Sequence, residues 1–213
     1  MSKKHEHYYT ESTDSPLKIY TVSESLRRHL YIFKTTTGIF SFRKIDLGTK
    51  VLIENMTIPE NPGVFWDLGC GYGAIGIVLA YESPKSFIYM TDINKRAIWC
   101  AKNNIKINLY DNIKNVKVIR GSYFEPFLSK DIKFDAIYTN PPIRRGKKEF
   151  LNVCKEIPKY LKEGGFFQFV IRRKMGAESI FTSLKEMFPS ENINIIRKKS
   201  GYWIFDCFRK NLD

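Results

Sequence analysis

The 213-residue sequence has few of the residues from which metal centres and disulfide frameworks are built. Its four cysteines, Cys70, Cys100, Cys154 and Cys207, lie far apart without the Cys-x-x-Cys spacing of zinc or redox sites. Two of its three histidines stand in the polar N-terminal stretch, at His5 and His7. We therefore expect buried free thiols and no metal site.

Long apolar runs are also missing. No run reaches the roughly 18 residues of a membrane span, and the N-terminal stretch MSKKHEHYYTESTDSP lacks the apolar segment of a signal peptide. There are no repeats, low-complexity tracts or linkers. The 43% hydrophobic content is sufficient for one sizeable core. We expect a soluble, cytoplasmic protein of a size compatible with a monomer.

Acidic residues are outnumbered by basic ones. The chain has 35 Lys and Arg against 22 Asp and Glu, which gives a net charge of +13. Charge of this size favours anionic partners, of which nucleic acid is the commonest. A generally basic protein without such a partner is the alternative.

From residue 64 onward, short apolar runs typical of buried strands alternate with segments of helical length and period. Strands are predicted at VFWDL (64–68), SFIYMTD (86–92), VKVIRG, FDAIYT and GFFQFVIRR, and a closing hairpin at INIIRKKSGYWIFDCFRK. The helix predicted through EFLNVCKEIPKYLKEGG is interrupted by Pro158. This alternation predicts an α/β, Rossmann-like, doubly wound fold, with a mostly parallel seven-stranded sheet and an antiparallel C-terminal hairpin strand.

The first 60 residues are less regular than the rest. They contain short aromatic strands around Gly38 and a helix that starts near Asp46. We therefore predict a small N-terminal extension (1–60) packed on the main domain (61–213).

A glycine-rich loop, DLGCGYGAIG (67–76), joins the first predicted strand of the main domain to its first helix. Such glycines let the backbone approach a ligand at a helix N-terminus. Asp67 would repel the pyrophosphate of a dinucleotide, whereas it suits the positive charges of S-adenosyl-L-methionine. Asp92, at the end of the next strand, could bind ribose hydroxyls of either ligand. Two Tyr-x-x-x-Lys spacings, at Tyr81 and Tyr110, fall at element ends or loops, which disfavours a dehydrogenase.

The fourth of these strands, FDAIYT, is followed by Asn140 and two prolines. Two prolines remove two backbone donors and fix φ, so the chain after Asn140 is stiff. This stiffness either makes a plain turn or holds the Asn140 side chain and nearby carbonyls at a fixed point.

The segments VFWDLGCGYGAIGIVLA and TNPPI together resemble the class I S-adenosylmethionine-dependent methyltransferases with an Asn-Pro-Pro motif. They are most similar to the small-domain methyltransferase family, which contains the ribosomal RNA guanine-N2 methyltransferases. HYYTE (7–11) and GIFSFRKIDLGTKVLIE (38–54) are similar to that family's lead-in, and NPPIRRGKK to its compact members. The resemblance covers about residues 7–208.

The resemblance implies a cofactor site for S-adenosyl-L-methionine, formed by Asp67, Gly69, Cys70, Gly71, Gly73, Asp92, Ile93, Ser122, Tyr123 and Asn140. Asp67, Gly69, Gly71 and Gly73 would surround the methionine moiety, Asp92 would bind the ribose and Ile93 would contact the adenine. Ser122 stands where the family usually has Asp or Asn at the adenine amine, and it could offer its hydroxyl or its backbone N–H there. In the N-terminal segment, Tyr8, Tyr9 and Phe40 are candidates to cover the cofactor or grip a base, and core packing is the alternative.

The resemblance also implies a catalytic segment, Asn140, Pro141, Pro142 and Ile143. The Asn140 side-chain oxygen and the Pro141 carbonyl would each accept one N–H of a planar amine and aim its lone pair at the sulfonium methyl. Such a transfer depends on orientation and fixed dipoles and needs no metal. Ile143 stands where related enzymes often have an aromatic residue, so the motif does not identify the base.

Basic residues follow the strands at the edge where open parallel sheets bind ligands. We predict RNA contacts from Arg144, Arg145, Lys147, Lys148, Arg172, Arg173, Lys174, Lys198 and Lys199, with Arg197 beside the last two. Clusters from distant parts of the sequence that converge on one rim are typical of a polyanion track.

We therefore predict an S-adenosylmethionine-dependent N-methyltransferase that acts on an exocyclic nucleobase amine in RNA, foremost guanine N2 of ribosomal RNA. The partner would be ribosomal RNA or an assembling ribosomal subunit. Adenine N6 or a protein glutamine amide is the alternative target. A non-catalytic RNA-binding protein on the same fold is the alternative from another functional class.

Overall fold

The apolar runs form strands in the computed structural model, which describes residues 16–109, 114–143 and 146–208. The strands are β1 (Ile19–Leu26), β2 (His29–Thr36), β3 (Val64–Leu68), β4 (Phe87–Asp92), β5 (Val116–Arg120), β6 (Phe134–Thr139), β7 (Leu161–Arg172), β8 (Ile193–Lys199) and β9 (Tyr202–Cys207). The helices are α1 (Leu47–Asn55), α2 (Ala74–Glu82), α3 (Lys95–Leu109), α4 (Lys147–Glu156) and α5 (Ala177–Met187).

Seven of the strands form one mixed sheet in the order β5-β4-β3-β6-β7-β9-β8. The first five strands in this order run parallel, and β9 is antiparallel to both β7 and β8. Strand β8 therefore runs in the same direction as β7. The predicted fold class is confirmed.

The sheet is buried on both faces, which explains why its central strands are apolar throughout rather than alternating. Phe65 of β3 belongs to a core with α1, α2 and α3, whereas its neighbour Trp66 belongs to a core with α4 and α5. Both side chains are fully buried. Each aromatic ring of this kind contributes about 1.5–3 kcal/mol to folding.

The N-terminal hairpin β1–β2 is held to α3 by two asparagines one helical turn apart. Asn104 accepts from the Lys34 amide at 2.7 Å and donates to the Lys34 carbonyl at 2.9 Å. Asn108 does the same for Ile32, at 3.0 and 2.8 Å. The two side chains thus satisfy the edge of β2 as a neighbouring strand would.

The strands predicted around Gly38 are wrong in part. Strand β2 ends at Thr36, the chain then turns through residues 37–44, and its partner β1 lies upstream instead. Gly38 has a φ of +81°, and the Thr35 hydroxyl donates to the Phe42 carbonyl, so the segment folds back on itself. The division at residue 60 stays a prediction.

The helix predicted to reach Gly164 ends at Glu156. A 3-10 turn containing Pro158 covers Ile157–Tyr160, and β7 begins at Leu161. The β6–β7 register shifts between Phe134 and Ala136, so β7 is irregular over its first residues. Because Pro158 cannot donate a backbone hydrogen bond, it ends the α-helix and lets the chain enter the sheet early.

All four cysteines are buried free thiols, as predicted. In the described residues, no three His, Cys, Asp or Glu side chains group closely enough to hold a metal ion. None of the helices in the same residues has the length and apolar character needed to cross a membrane.

Candidate active site

One pocket opens at the carboxyl ends of β3, β4 and β6 and brings together most of the predicted site. It is lined by the predicted residues Gly69, Cys70, Gly71, Asp92, Ile93, Ser122, Tyr123, Asn140, Pro141 and Pro142. Asp67, Gly73 and Ile143 lie outside this lining. Tyr8, Tyr9, Arg144 and Arg145 fall outside the described residues.

The glycines of the loop have two different roles. Gly69 and Gly71 have φ values of +73° and +56°, and a Cβ on either would meet nothing within 4 Å, so both face open space in the pocket. A Cβ on Gly73 would instead lie 2.6 Å from the Met90 Cε, so Gly73 permits close packing of the loop on β4. The amides of Gly69 and Cys70 both donate to the Thr91 carbonyl, at 2.9 and 2.8 Å.

The Asp67 carboxyl is fully buried beneath this loop. Its Oδ2 accepts from the Gly76 amide at 2.8 Å, while its Oδ1 has no hydrogen-bond partner in the described part of the chain. Burial raises the pKa of Asp67 to about 7, the Gly76 amide opposes this rise, and the charge of Asp92 adds to it. A buried acceptor without a donor is costly, and it suits a ligand that brings a cationic N–H group.

Asp92 connects the end of β4 to the loop. Its Oδ2 accepts from the Gly71 amide and its Oδ1 from the Asn94 amide, both at 2.8 Å. Burial raises the pKa of Asp92, and backbone hydrogen bonds, with that from Asn94 the largest, partly offset the rise. Because a carboxylate has about four lone-pair sites, Asp92 can still accept from ribose hydroxyls.

The turn at residues 37–44 is held against the pocket by Asn94, a residue after β4 that was not predicted from the sequence. Its Nδ2 donates to the Gly38 carbonyl at 2.9 Å, and its Oδ1 accepts from the Arg96 amide at the start of α3. This contact places Ile39 and Phe40 in the pocket wall, where Phe40 is 36% exposed.

At the other end of the pocket, Ser122 keeps only part of its expected hydrogen-bonding capacity. Its backbone amide donates to the Glu125 carboxylate at 2.9 Å, so the hydroxyl is the group left for an adenine. The neighbouring Tyr123 has a φ of +40°, and its hydroxyl donates to Glu149 on α4 at 2.5 Å. Glu149 also lines the pocket, and sequence reasoning missed it.

The Asn140 side chain lies where β6 ends and faces the start of α1. Its Nδ2 donates to the Asp46 Oδ2 at 2.9 Å and to the Thr49 Oγ1 at 2.8 Å. The Pro141 carbonyl accepts from the Ile143 amide at 2.9 Å, and its second lone pair is left for a ligand. Asp46 and Thr49 were not predicted as site residues, because an Asp at a predicted helix start indicates only an N-cap.

Of the predicted basic residues, those that the structure describes lie along the same edge of the sheet. Arg172 of β7 is opposite Tyr202 of β9, which is in turn opposite Lys199 of β8. Arg172, Arg173, Lys174, Lys198 and Lys199 are exposed, as is Lys148 at the start of α4, whereas Lys147 is partly buried. Some are engaged: Arg173 pairs with Glu178 at 2.9 Å, and the Lys198 ammonium lies 4.1 Å from the Trp203 ring centre.

Tyr202 connects this basic edge to the Asn140 site. A Cβ on Gly48 would lie 2.8 Å from the Tyr202 Cε1 and 2.9 Å from the Asp46 Oδ2, so the hairpin packs directly on the start of α1. Burial and then the Asp46 charge raise the pKa of Tyr202, while Arg172 lowers it.

Comparison with known proteins gives a consistent result. The model of the family described as methyltransferase small domain matches residues 30–206. The Bacillus subtilis (strain 168) protein YbxB, which its name gives as uncharacterized, is 36% identical over 199 residues, covering 93% of this chain and 96% of that protein. Ribosomal RNA small subunit methyltransferase C of Buchnera aphidicola subsp. Cinara cedri (strain Cc) is 33% identical and covers 83% of this chain.

Among solved structures, the 16S rRNA N2 G1207 methyltransferase of T. thermophilus, in complex with AdoMet and guanosine, has the same fold. It matches with a TM-score of 0.72 at 22% identity over 92% of this chain. The chain spans about half the length of this enzyme and of the Buchnera protein, 51% and 50% respectively.

Proposed function

The chain belongs to the methyltransferase small domain family, and we propose that it transfers a methyl group from S-adenosylmethionine to an exocyclic nucleobase amine in ribosomal RNA, foremost guanine N2. The family match confirms the family and the methyltransferase class predicted from the sequence. The donor, the base and the RNA substrate are the proposed part.

The residues of the glycine loop fit S-adenosylmethionine. Asp67 has an acceptor oxygen without a partner among the described residues, which suits the donor's ammonium group. Gly69 and Gly71 leave open space at the loop, and Asp92 can accept from ribose hydroxyls. When bound, S-adenosylmethionine supplies an electrophilic methyl group on a sulfonium.

The observation that carries the proposal is the orientation of Asn140. Both hydrogens of its amide are used by Asp46 and Thr49, so its Oδ1 is the atom left to face a substrate. A nucleobase amine is a poor nucleophile because its lone pair is delocalised into the ring. Two acceptors, the Asn140 Oδ1 and the Pro141 carbonyl, favour a pyramidal nitrogen and stabilise the positive charge that grows on it.

RNA as the substrate is supported by charge and by the relatives. The net charge is +13, and exposed cations lie along the edge that carries Asn140. The Buchnera relative is named as a ribosomal RNA methyltransferase, and the T. thermophilus enzyme is named for guanine N2 of 16S rRNA. Because this chain spans about half of each, recognition of a specific nucleotide is part of the proposal.

Nucleoside mass spectrometry on under-methylated ribosomal RNA, incubated with the protein and labelled S-adenosylmethionine, tests the proposal. We expect label in N2-methylguanosine, and we expect Asn140→Ala to abolish it while cofactor binding remains. Asn103→Ala is a matched control, since this asparagine bonds only to the Trp99 carbonyl among the described hydrogen bonds. Label in N6-methyladenosine would correct the base. No label in RNA, despite cofactor binding, would favour a protein glutamine amide as the target or, failing that, the non-catalytic RNA-binding protein.

A further inference from the structure

We infer that Asp46 and Thr49 are positioning residues that fix the catalytic orientation of the Asn140 amide. This inference rests on the proposed function, because it assigns the task of Asn140 to its Oδ1. It concerns two residues of the N-terminal segment that lie 94 and 91 positions from Asn140 in the sequence.

The chemistry of the partners determines which way the amide points. Asp46 Oδ2 can only accept, so it must face the amide nitrogen of Asn140 and not its oxygen. The distance of 2.9 Å is that of a good hydrogen bond. Thr49 Oγ1 takes the second hydrogen at 2.8 Å. A flipped amide would place its oxygen against the Asp46 oxygen and leave the pocket with a donor instead of an acceptor.

The two partners are themselves held in place. Asp46 is the N-cap of α1, and its Oδ2 also accepts from the Thr49 amide at 3.1 Å. The Tyr202 ring packs closely against Gly48, two residues after Asp46, since a Cβ on Gly48 would lie within 3 Å of both side chains. Thr49 is buried, at 8% exposure. The Asn140 amide is therefore held by two side chains that are themselves fixed at a helix N-terminus.

The charge of Asp46 adds to the effect of orientation. A negative carboxylate against the Asn140 N–H draws the amide toward its dipolar form and increases the electron density on Oδ1. The same charge favours the positive charge that develops on the attacking amine. Orientation and charge can be separated, because an asparagine at position 46 can still accept from Asn140 but carries no charge.

Kinetics on ribosomal RNA test the inference. Relative to the wild type, Asp46→Ala should lower kcat about 100-fold, as expected when a catalytic acceptor is misplaced, with RNA and cofactor affinities within about threefold. Asp46→Asn should lower kcat less, by about tenfold, and Thr49→Val should also lower it about tenfold. Thr49→Ser keeps the hydroxyl and should have a kcat close to that of the wild type. The matched control is Asp135→Ala, which removes a carboxylate that accepts from the Val64 amide at 2.7 Å, at the amino end of β6, and should leave kcat unchanged.

A second measurement does not depend on turnover. In protein labelled with [15N]asparagine, the side-chain NH2 signal that Asn140→Ala removes should exchange slowly with water in the wild type and fast in Asp46→Ala and Thr49→Val. Unchanged exchange, or a kcat within threefold of the wild type in Asp46→Ala, would overturn the inference. If the chain methylated no RNA, the proposed function would fail, whereas the exchange rates would still decide whether the clamp exists.

Discussion

The affinity for S-adenosylmethionine should depend on pH through Asp67. This carboxyl is fully buried, and burial raises its pKa from the ordinary value of 3.8 to about 7 in the ligand-free protein. The donor's ammonium would supply the hydrogen bond that the Asp67 Oδ1 lacks, which favours the ionised form. Binding should therefore require loss of the Asp67 proton and tighten as pH rises through 7.

The magnitude follows from the fraction of Asp67 that is ionised before binding. With a pKa of about 7 this fraction is about one half at pH 7 and about one hundredth at pH 5, so the dissociation constant should fall about 50-fold between pH 5 and 7. At pH 7, about half a proton should be released per ligand bound. Calorimetry in buffers of different ionisation enthalpy measures both quantities.

Asp67→Asn provides the decisive comparison. It should bind S-adenosylmethionine more weakly at pH 7 and lose most of the pH dependence, keeping only what Asp92 contributes. A wild-type affinity that is flat between pH 5 and 7, or an Asp67→Asn variant with the wild-type slope, would refute the assignment of the ammonium to Asp67.

The same pKa shift makes a prediction about stability in the absence of ligand. Since the folded-state pKa of Asp67 is raised, its titration contributes to the free energy of unfolding. This contribution is fully present below pH 3.8 and is lost as pH rises to about 7. The loss across this window is on the order of 4 kcal/mol. Asp67→Asn should therefore melt at a higher temperature than the wild type at pH 8, with a smaller difference at pH 5.

Two further predictions concern the fold and the basic edge. Asn104→Ala should lower the free energy of unfolding by about 3 kcal/mol, because it removes the partner of the partly buried Lys34 amide and carbonyl and of the buried Tyr72 carbonyl. The adjacent Asn103→Ala should cost about 0.5 kcal/mol or less in the same urea titration, and equal losses would contradict the strand-like role of Asn104. Lys199→Gln should reduce the slope of log K against log salt for RNA binding by about 0.7 to 0.9. Lys155→Gln, at the opposite edge of the sheet, should leave the slope unchanged. Equal slopes in the two variants would show that Lys199 does not contact RNA.

Much of the main domain was predictable because its determinants are local. Buried parallel strands give continuous apolar runs, such as FDAIYT of β6, and Gly69 and Gly71 mark positions of positive φ that other residues rarely adopt. The early start of β7 at Leu161 was not predictable. Its pairing with β6 depends on a register shift that no local pattern of Lys162–Gly165 encodes.

The contacts that complete the site are not local, and for this reason they were missed. Asp46 reads as a helix cap and nothing more until the fold brings it against Asn140. From the sequence, the backbone N–H of Ser122 is available to a ligand, whereas in the structure it donates to the Glu125 carboxylate. Sequence patterns report the chemistry that a residue offers, whereas tertiary structure decides which partner uses it.

The N-terminal segment therefore contributes to the candidate site as well as packing against the main domain. Ile39 and Phe40 form part of the pocket wall, and α1 supplies both partners of the Asn140 amide. The segment is also anchored independently of the site, through the hydrogen bonds of β2 to Asn104 and Asn108. Anchoring at α3 and clamping at β6 act on opposite ends of the same segment. At the pocket itself, the Gly38 carbonyl contacts Asn94 after β4 and Asp46 contacts Asn140 after β6, so the segment connects the two sides of the pocket.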